Sequence, residues 1–332
     1  MKVGGEQGSS VLGPPKEVSL TLNQKRLLVA VDGSAQSLNA VRYVARNFAP
    51  AGLKVNLMYV MPTAPETFWD LEKDAFFMQK MKSRYAQWKR EARKLARGFV
   101  DDARNVLVKA NVQEKQVGVI LQEREVGIAR DIIEESKKGY DAVVLGRRGL
   151  SKLEDIFLGS VSSKIVQRVG KIPVWVVGGD IQSTKMLIAV DASENSSKAV
   201  DYVGSFAAET EAELTLYHVI RSFGLGFLED FSLRDEDIDA FVEEAESNVQ
   251  RMFRSYRETL ERAGVATARI STKHILQGQS RAADIIREAK DGDYGTIAMG
   301  RRGLSKVHEF LMGRVTNKVL SRAEGFAIWI VP

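Results

Sequence analysis

Residues 146–163 read GRRGLSKLEDIFLGSVSS, and residues 300–317 read GRRGLSKVHEFLMGRVTN. Each copy follows a short apolar run, DAVVL at 141–145 in one case and GTIAM at 295–299 in the other. Each then crosses an amphipathic segment and a glycine-containing turn to reach a last apolar run, IPVWVV at 172–177 or FAIWIV at 326–331. Two glycines three apart, a third ten residues on and hydroxyls after it describe a turn followed by a helix start rich in free backbone N–H groups. Such a start cradles phosphate without a lysine-centred P-loop. The repetition predicts two homologous domains, and the glycines point to a nucleotide.

Working back from the first copy, KRLLVAV at 25–31 suits a buried parallel strand, and it ends in the turn Asp32-Gly33-Ser34. Leu38, Val41, Val44, Ala45 and Phe48 recur at helical spacing, with Ser34 or Ser37 as cap and Pro50 and Gly52 closing the helix. VNLMYV at 55–60 is the second strand, which completes a right-handed βαβ unit. A loop or short helix carrying Phe68 and Trp69 follows, then a long helix over 78–110, a strand near 115–121 and a helix ended by Gly139. Phe157, Val161, Ile165 and Val166 make an inward-facing pattern across the motif, broken at Gly159, and Val174–Val177 forms the fifth strand.

The second half repeats the order. KMLIAV precedes Asp191-Ala192-Ser193, LTLYHV at 214–219 matches VNLMYV, and FGLGFLEDF is the second aromatic loop. A helix from about Asp237 to Arg262 leads to a third strand over 267–276 and a helix over 281–289. The divisions expected are a flexible tail over 1–24, a first domain over 25–179 and a second over 180–332. The linker between them is short enough to hold the halves close. Loops after the first and fourth strands of an open parallel sheet meet where strand order reverses, the usual ligand crevice.

Composition narrows the function classes. The chain has 332 residues, 44% of them apolar and 27% charged, with a formal charge of +5. That is ordinary for a soluble globular pair of domains, and the modest charge does not argue for nucleic acid. There is no apolar run of membrane-spanning length, and the N-terminal residues lack the apolar core of a secretion signal, so the expected location is the cytoplasm, with no membrane partner. The absence of cysteine removes disulfides, thiolate catalysis and cysteine metal sites, and the histidines at 218, 274 and 308 are too scattered to suggest zinc. Charge is unevenly placed: Lys80, Lys82, Arg84, Lys89, Arg90, Arg93, Lys94 and Arg97 crowd the first long helix, whereas Asp235, Glu236, Asp237, Asp239, Glu243, Glu244 and Glu246 open the second. These are either solvated faces or opposite charges that fix how halves or chains pair.

From Lys25 to Pro332 the chain resembles the universal stress protein family in a tandem two-domain form. The resemblance rests on the strand ending in Asp-Gly-Ser, the strands ending in Tyr-Val or His-Val and, above all, the motif Gly, two residues, Gly, nine residues, Gly and then Ser or Thr. It implies an α/β Rossmann-like fold of two repeated open five-stranded parallel sheets, strand order 3-2-1-4-5, flanked by helices. The family commonly dimerises through its last strands, so the chain is expected to be an intramolecular pseudo-dimer or a homodimer.

The ligand the resemblance implies is ATP or another adenine nucleotide (AMP or ADP), with Mg²⁺ held by its phosphates and Asp32. In the first half it implies Asp32 near ribose or phosphates, the backbone of Val60 at the adenine edge and Leu145 against the nucleoside. Gly146 and Gly149 let the main chain approach phosphate, and Gly159, Ser160, Val161 and Ser162 supply N–H groups and hydroxyls. Arg147 and Arg148 either add charge to the phosphate grip or face solvent. In the second half the equivalents are Asp191, Val219, Met299, Gly300, Gly303, Gly313 and Thr316, but Arg314 replaces the hydroxyl residue; it either strengthens a phosphate contact or fills the pocket.

No base–nucleophile pair is suggested and no catalytic residue is assigned. The function expected is a stress-response-type regulatory protein that binds adenine nucleotide with at most slow hydrolysis; the alternative is a nucleotide-free interaction protein acting through dimerisation and partner contacts. A dinucleotide oxidoreductase lacks its early Gly-x-Gly-x-x-Gly turn here.

Overall fold

A computed structural model describes residues 24–48, 52–64, 75–149, 158–221, 235–278, 280–304 and 312–332. The N-terminal tail, the Phe68–Trp69 loop, Phe157, the FGLGFLEDF loop and His308 lie outside the described residues. The first half runs β1 (Arg26–Ala30), α1 (Ala35–Phe48), β2 (Lys54–Met61), α2 (Ala75–Lys109), β3 (Val117–Glu123), α3 (Ile128–Ser136), β4 (Ala142–Gly146), α4 (Ser160–Arg168) and β5 (Val174–Val177). The second runs β6 (Met186–Ala189), α5 (Glu194–Ala207), β7 (Leu214–Arg221), α6 (Asp235–Arg262), β8 (Ile270–Gly278), α7 (Arg281–Asp291), β9 (Thr296–Gly300), α8 (Arg314–Arg322) and β10 (Ala327–Val331). Both third strands begin two or three residues later than the apolar alternation suggests, because a 3-10 turn at Glu114–Gln116 or Thr267–Arg269 takes up the start.

The two halves do not form separate sheets. One ten-stranded sheet runs β3-β2-β1-β4-β5-β10-β9-β6-β7-β8, so the order 3-2-1-4-5 occurs twice, meeting head to head. Within each half the strands are parallel; at the seam β5 and β10 pair antiparallel, with Trp175 opposite Trp329. The continuous apolar runs of β4, β5, β9 and β10 follow from burial on both faces.

Aromatic side chains from both halves gather at the seam. The indoles of Trp175 and Trp329 stack with centroids 3.9 Å apart and 5° between planes, flanked by Phe48 and Phe206. Each indole N–H crosses to the other half's first helix: Trp329 donates to the Tyr43 hydroxyl at 3.0 Å and Trp175 to the Tyr202 hydroxyl at 3.1 Å. Tyr43 in turn meets the Thr296 hydroxyl at 2.7 Å, and Tyr202 donates to the Asp141 carbonyl at 3.1 Å. Burial raises the pKa of both phenols, so they stay neutral donors.

The opposite charges of the long helices do not pair the halves. α2 packs against α1, β2 and β3, and α6 against α5, β7 and β8, which places them at opposite ends of the sheet. Strand pairing and the tryptophan stack join the halves instead.

Candidate functional site

In each half the switch in strand order falls between the first and fourth strands, and the motif residues gather there. After β1 the chain turns through Gly33 at φ +82°, where a β-carbon would lie 2.6 Å from the Phe99 ring, so glycine is required twice over. The Asp32 carboxylate accepts the Ser34 N–H at 3.0 Å, closing the turn into α1. In the second half Asp191 is held more fully: one oxygen accepts Ser193 N–H at 3.1 Å and the Ser196 hydroxyl at 2.7 Å, while the other accepts Leu304 N–H at 3.3 Å. That last bond ties the turn after β6 directly to the glycine motif after β9.

The glycines have separable reasons. A β-carbon on Gly149 would come 2.4 Å from Asp32 Oδ2, and one on Gly303 would come 2.4 Å from Asp191 Oδ2. A β-carbon on Gly146 would press on the Gln36 backbone at 2.8 Å, and one on Gly300 on that of Asn195 at 2.8 Å. The first glycine of each motif therefore admits the first helix of its half, and the second admits the carboxylate. Gly159 and Gly313 are the N-caps of α4 and α8, neither of which has a side-chain cap. The first-turn N–H groups of Ser160, Val161 and Ser162, and of Arg314, Val315 and Thr316, thus open toward the crevice as a helix N-terminus presents them.

Several side chains stand elsewhere than the sequence suggests. The Ser162 hydroxyl is buried and donates to the Gly146 carbonyl at 2.8 Å, and Thr316 does the same to Gly300 at 2.9 Å. These hydroxyls hold the end of the fourth strand to the helix, leaving only their backbone N–H for a ligand. Arg147 is neither solvated nor in the crevice: it is 3% exposed and donates across the seam to the carbonyls of Ala323 at 2.8 Å and Ser321 at 2.9 Å. Arg301 reciprocates with Val166 at 2.7 Å, Val169 at 2.9 Å and Gln167 at 2.8 Å. Arg148 also turns across the seam, to Glu324 at 3.2 Å.

A cleft of about 510 Å³ in the second half brings together Asp191, Val219, Met299, Gly300, Gly303, Gly313, Arg314 and Thr316. Its size suits a small-molecule ligand. Arg314 is exposed on the cleft wall and does not fill it. Arg281, Arg302 and Lys318 line the same space, so four cations face one carboxylate, Asp191. Arg281 and Arg314 are each the first residue of a helix, where a cation opposes the macrodipole. An anion in the cleft removes that conflict, and this misplacement is the sequence signal by which Arg281 could have been found. At the equivalent positions the first half carries Ile128 and Ser160, so the two crevices differ in charge.

His218 also lines the cleft, and its Nδ1 meets the Val190 carbonyl at 2.7 Å, which sets that nitrogen as the donor. Burial, aided by Arg281, pushes its pKa below the ordinary imidazole value, against the opposing pull of the Val190 carbonyl and Asp191. A histidine kept neutral by the fold contributes stability that is full above about pH 6.5 and is lost as pH falls from there through the depressed value. Thermal melts at pH 7.5 and 5.5 are expected to show a larger drop for the native chain than for His218→Gln; equal drops contradict this assignment.

Among the described residues no group of three or more His, Asp or Glu gathers as a metal site. No helix among them is long and apolar enough to cross a membrane.

Comparison with known proteins agrees with this architecture. The model of the universal stress protein family matches residues 23–178 and again 183–331. A universal stress protein of Mycolicibacterium smegmatis is 28% identical over 205 residues, covering 58% of this chain and 63% of its own length. One from Bacillus subtilis is 29% identical over 141 residues, covering 41% and 90% respectively. One from Synechocystis sp. is 22% identical over 315 residues, covering 90% and 96%. Among solved structures, a universal stress protein from Archaeoglobus fulgidus superposes with a TM-score of 0.58 at 19% identity, over 93% of this chain and 98% of that one. Two matches in tandem span nearly the whole described fold, and the chain belongs to the universal stress protein family.

Proposed function

We propose that this protein binds an adenine nucleotide, ATP or its AMP or ADP relatives, in the crevices of its two halves and acts as a stress-response-type regulator with at most slow hydrolysis. The observation that carries the reading is the second-half cleft, where an uncapped helix N-terminus, a glycine turn and four cations converge at the strand-order switch. Phosphates would sit at Gly303, Gly313 and the N–H groups of Arg314, Val315 and Thr316, with Arg314 and Lys318 as charge partners. Val219 and Met299 offer the apolar wall for a base. The first half supplies the same frame with Asp32, Val60, Leu145, Gly149, Gly159, Ser160 and Val161.

Mg²⁺ fits as a companion of the phosphates. It keeps several waters and asks the protein for only one or two carboxylates, which Asp32 or Asp191 provides beside the glycine turn. Asp191 already accepts three hydrogen bonds, which suits a fixed ligand better than a general base.

Freshly purified chain, extracted with acid and analysed by mass spectrometry, should release adenine nucleotide, and a fluorescent ATP analogue should be displaced by ATP. Arg314→Ser is expected to weaken the second cleft about 10-fold, the loss of one charge-assisted contact of ~1.5 kcal/mol. Unchanged affinity would remove Arg314 from the grip. The nucleotide-free scaffold reading draws support from the glycines and hydroxyls, which already satisfy internal packing. Neither retained nucleotide nor displacement would leave that reading in place.

A further inference from the structure

We infer that Arg147 and Arg301 are positioning residues that couple the two crevices, each arginine placing the helix whose N-terminus cradles ligand in the other half. The coupling part rests on the nucleotide reading above, whereas the positioning part stands without it.

The connections form a closed circuit. The Arg147 carbonyl accepts the N–H of Gly159, the residue that begins α4, at 2.9 Å. The far end of α4 is held by the Arg301 guanidinium, through the carbonyls of Val166, Gln167 and Val169. The Arg301 carbonyl accepts the N–H of Gly313, which begins α8, at 2.9 Å. The far end of α8 returns to the Arg147 guanidinium through Ser321 and Ala323. Each arginine thus fixes its own half's cradle with its main chain and the opposite half's cradle helix with its side chain.

Helices of nine residues are short enough that a clamp on the last turn sets the position of the first. The clamps use carbonyls that a helix C-terminus leaves unpaired, and the guanidinium charge complements that end of the dipole. Both arginines directly follow the first motif glycine, so a ligand that shifts either glycine turn moves a group bonded to the other half. Linkage then requires the effect to run equally in both directions.

The test isolates one crevice. In a chain whose second cleft is blocked by Gly303→Val, Arg301→Ala is expected to lower the affinity of the first half for ATP with Mg²⁺ by about 5-fold or more. Arg301→Lys, which keeps the charge and one contact, should recover part of the loss. Hydrogen exchange followed by mass spectrometry supplies a readout without ligand: the hydrogen-bonded amides of residues 163–169, from Ser163 on the Gly159 carbonyl to Val169 on the Ile165 carbonyl, should exchange faster in Arg301→Ala while β1 and β4 keep native rates. Arg147→Ala should do the same to residues 317–323, from Asn317 on the Gly313 carbonyl to Ala323 on the Val319 carbonyl. Binding in the blocked chain with an affinity unaffected by Arg301→Ala overturns the coupling. Exchange that is unchanged, or faster throughout both halves alike, overturns the positioning role. If the native chain takes up no nucleotide, the proposed function falls, no ligand-borne coupling exists, and the exchange result decides positioning alone.

Discussion

Gly149→Val is expected to abolish ligand uptake in the first half, and Gly303→Val in the second, each by about 100-fold or more. Any β-carbon at these positions would stand 2.4 Å from a carboxylate oxygen, of Asp32 in one case and Asp191 in the other. Nonbonded atoms do not approach so closely, so either the carboxylate or the glycine turn must give way. Both belong to the crevice. In the second half the carboxylate is also pinned by Ser193, Ser196 and Leu304, so displacing it breaks contacts on two loops at once. A loss of ~2.7 kcal/mol corresponds to a 100-fold weaker Kd. Competition against a fluorescent ATP analogue measures it: each single variant should retain one site and the double variant none. Native affinity in both single variants would remove the carboxylate–glycine contact from the ligand site.

Trp329→Ala is expected to be the most damaging single change to the fold, costing about 4 kcal/mol, the usual range for removing a fully buried tryptophan. The indole has no exposed surface, stacks on Trp175 at 3.9 Å and supplies the N–H that the Tyr43 hydroxyl accepts. Its removal leaves a cavity at the one strand pair that joins the two halves among the described residues, β5 with β10. With an unfolding entropy of ~2.1 cal/mol/K per residue, that cost corresponds to a Tm lower by ~6 °C. Calorimetry of the native chain should give one transition, because the sheet is continuous, whereas the variant should melt earlier and show separate transitions for the halves. A Tm within a degree of native would mean that the seam contributes little.

Much of this architecture is legible in the sequence because the cues are local. Apolar runs such as Val174–Val177 are short, bounded by glycine and proline, and recur in order, which fixes strand identity and the two-fold repeat. The glycine spacing likewise announces the crevice. What escapes is whatever depends on partners outside the local stretch. Arg147 lies next to a phosphate-type motif, so local reasoning sends its charge to the ligand or to solvent; its partners are 174 and 176 residues away on the opposite half. The hydroxyls of Ser162 and Thr316 mislead in the same way, since their acceptors lie 16 residues back at the end of a strand. The charged helices α2 and α6 suggest a pairing that the strand order separates to opposite edges. His218 and Arg281 join the site only because β7 and the start of α7 converge on one cleft.

The direct test of the account is calorimetric titration of the purified, nucleotide-stripped chain with ATP and Mg²⁺. The two crevices predict a stoichiometry of two, falling to one in either Gly149→Val or Gly303→Val. A titration without binding, from a chain that also carries no nucleotide when first purified, would contradict it.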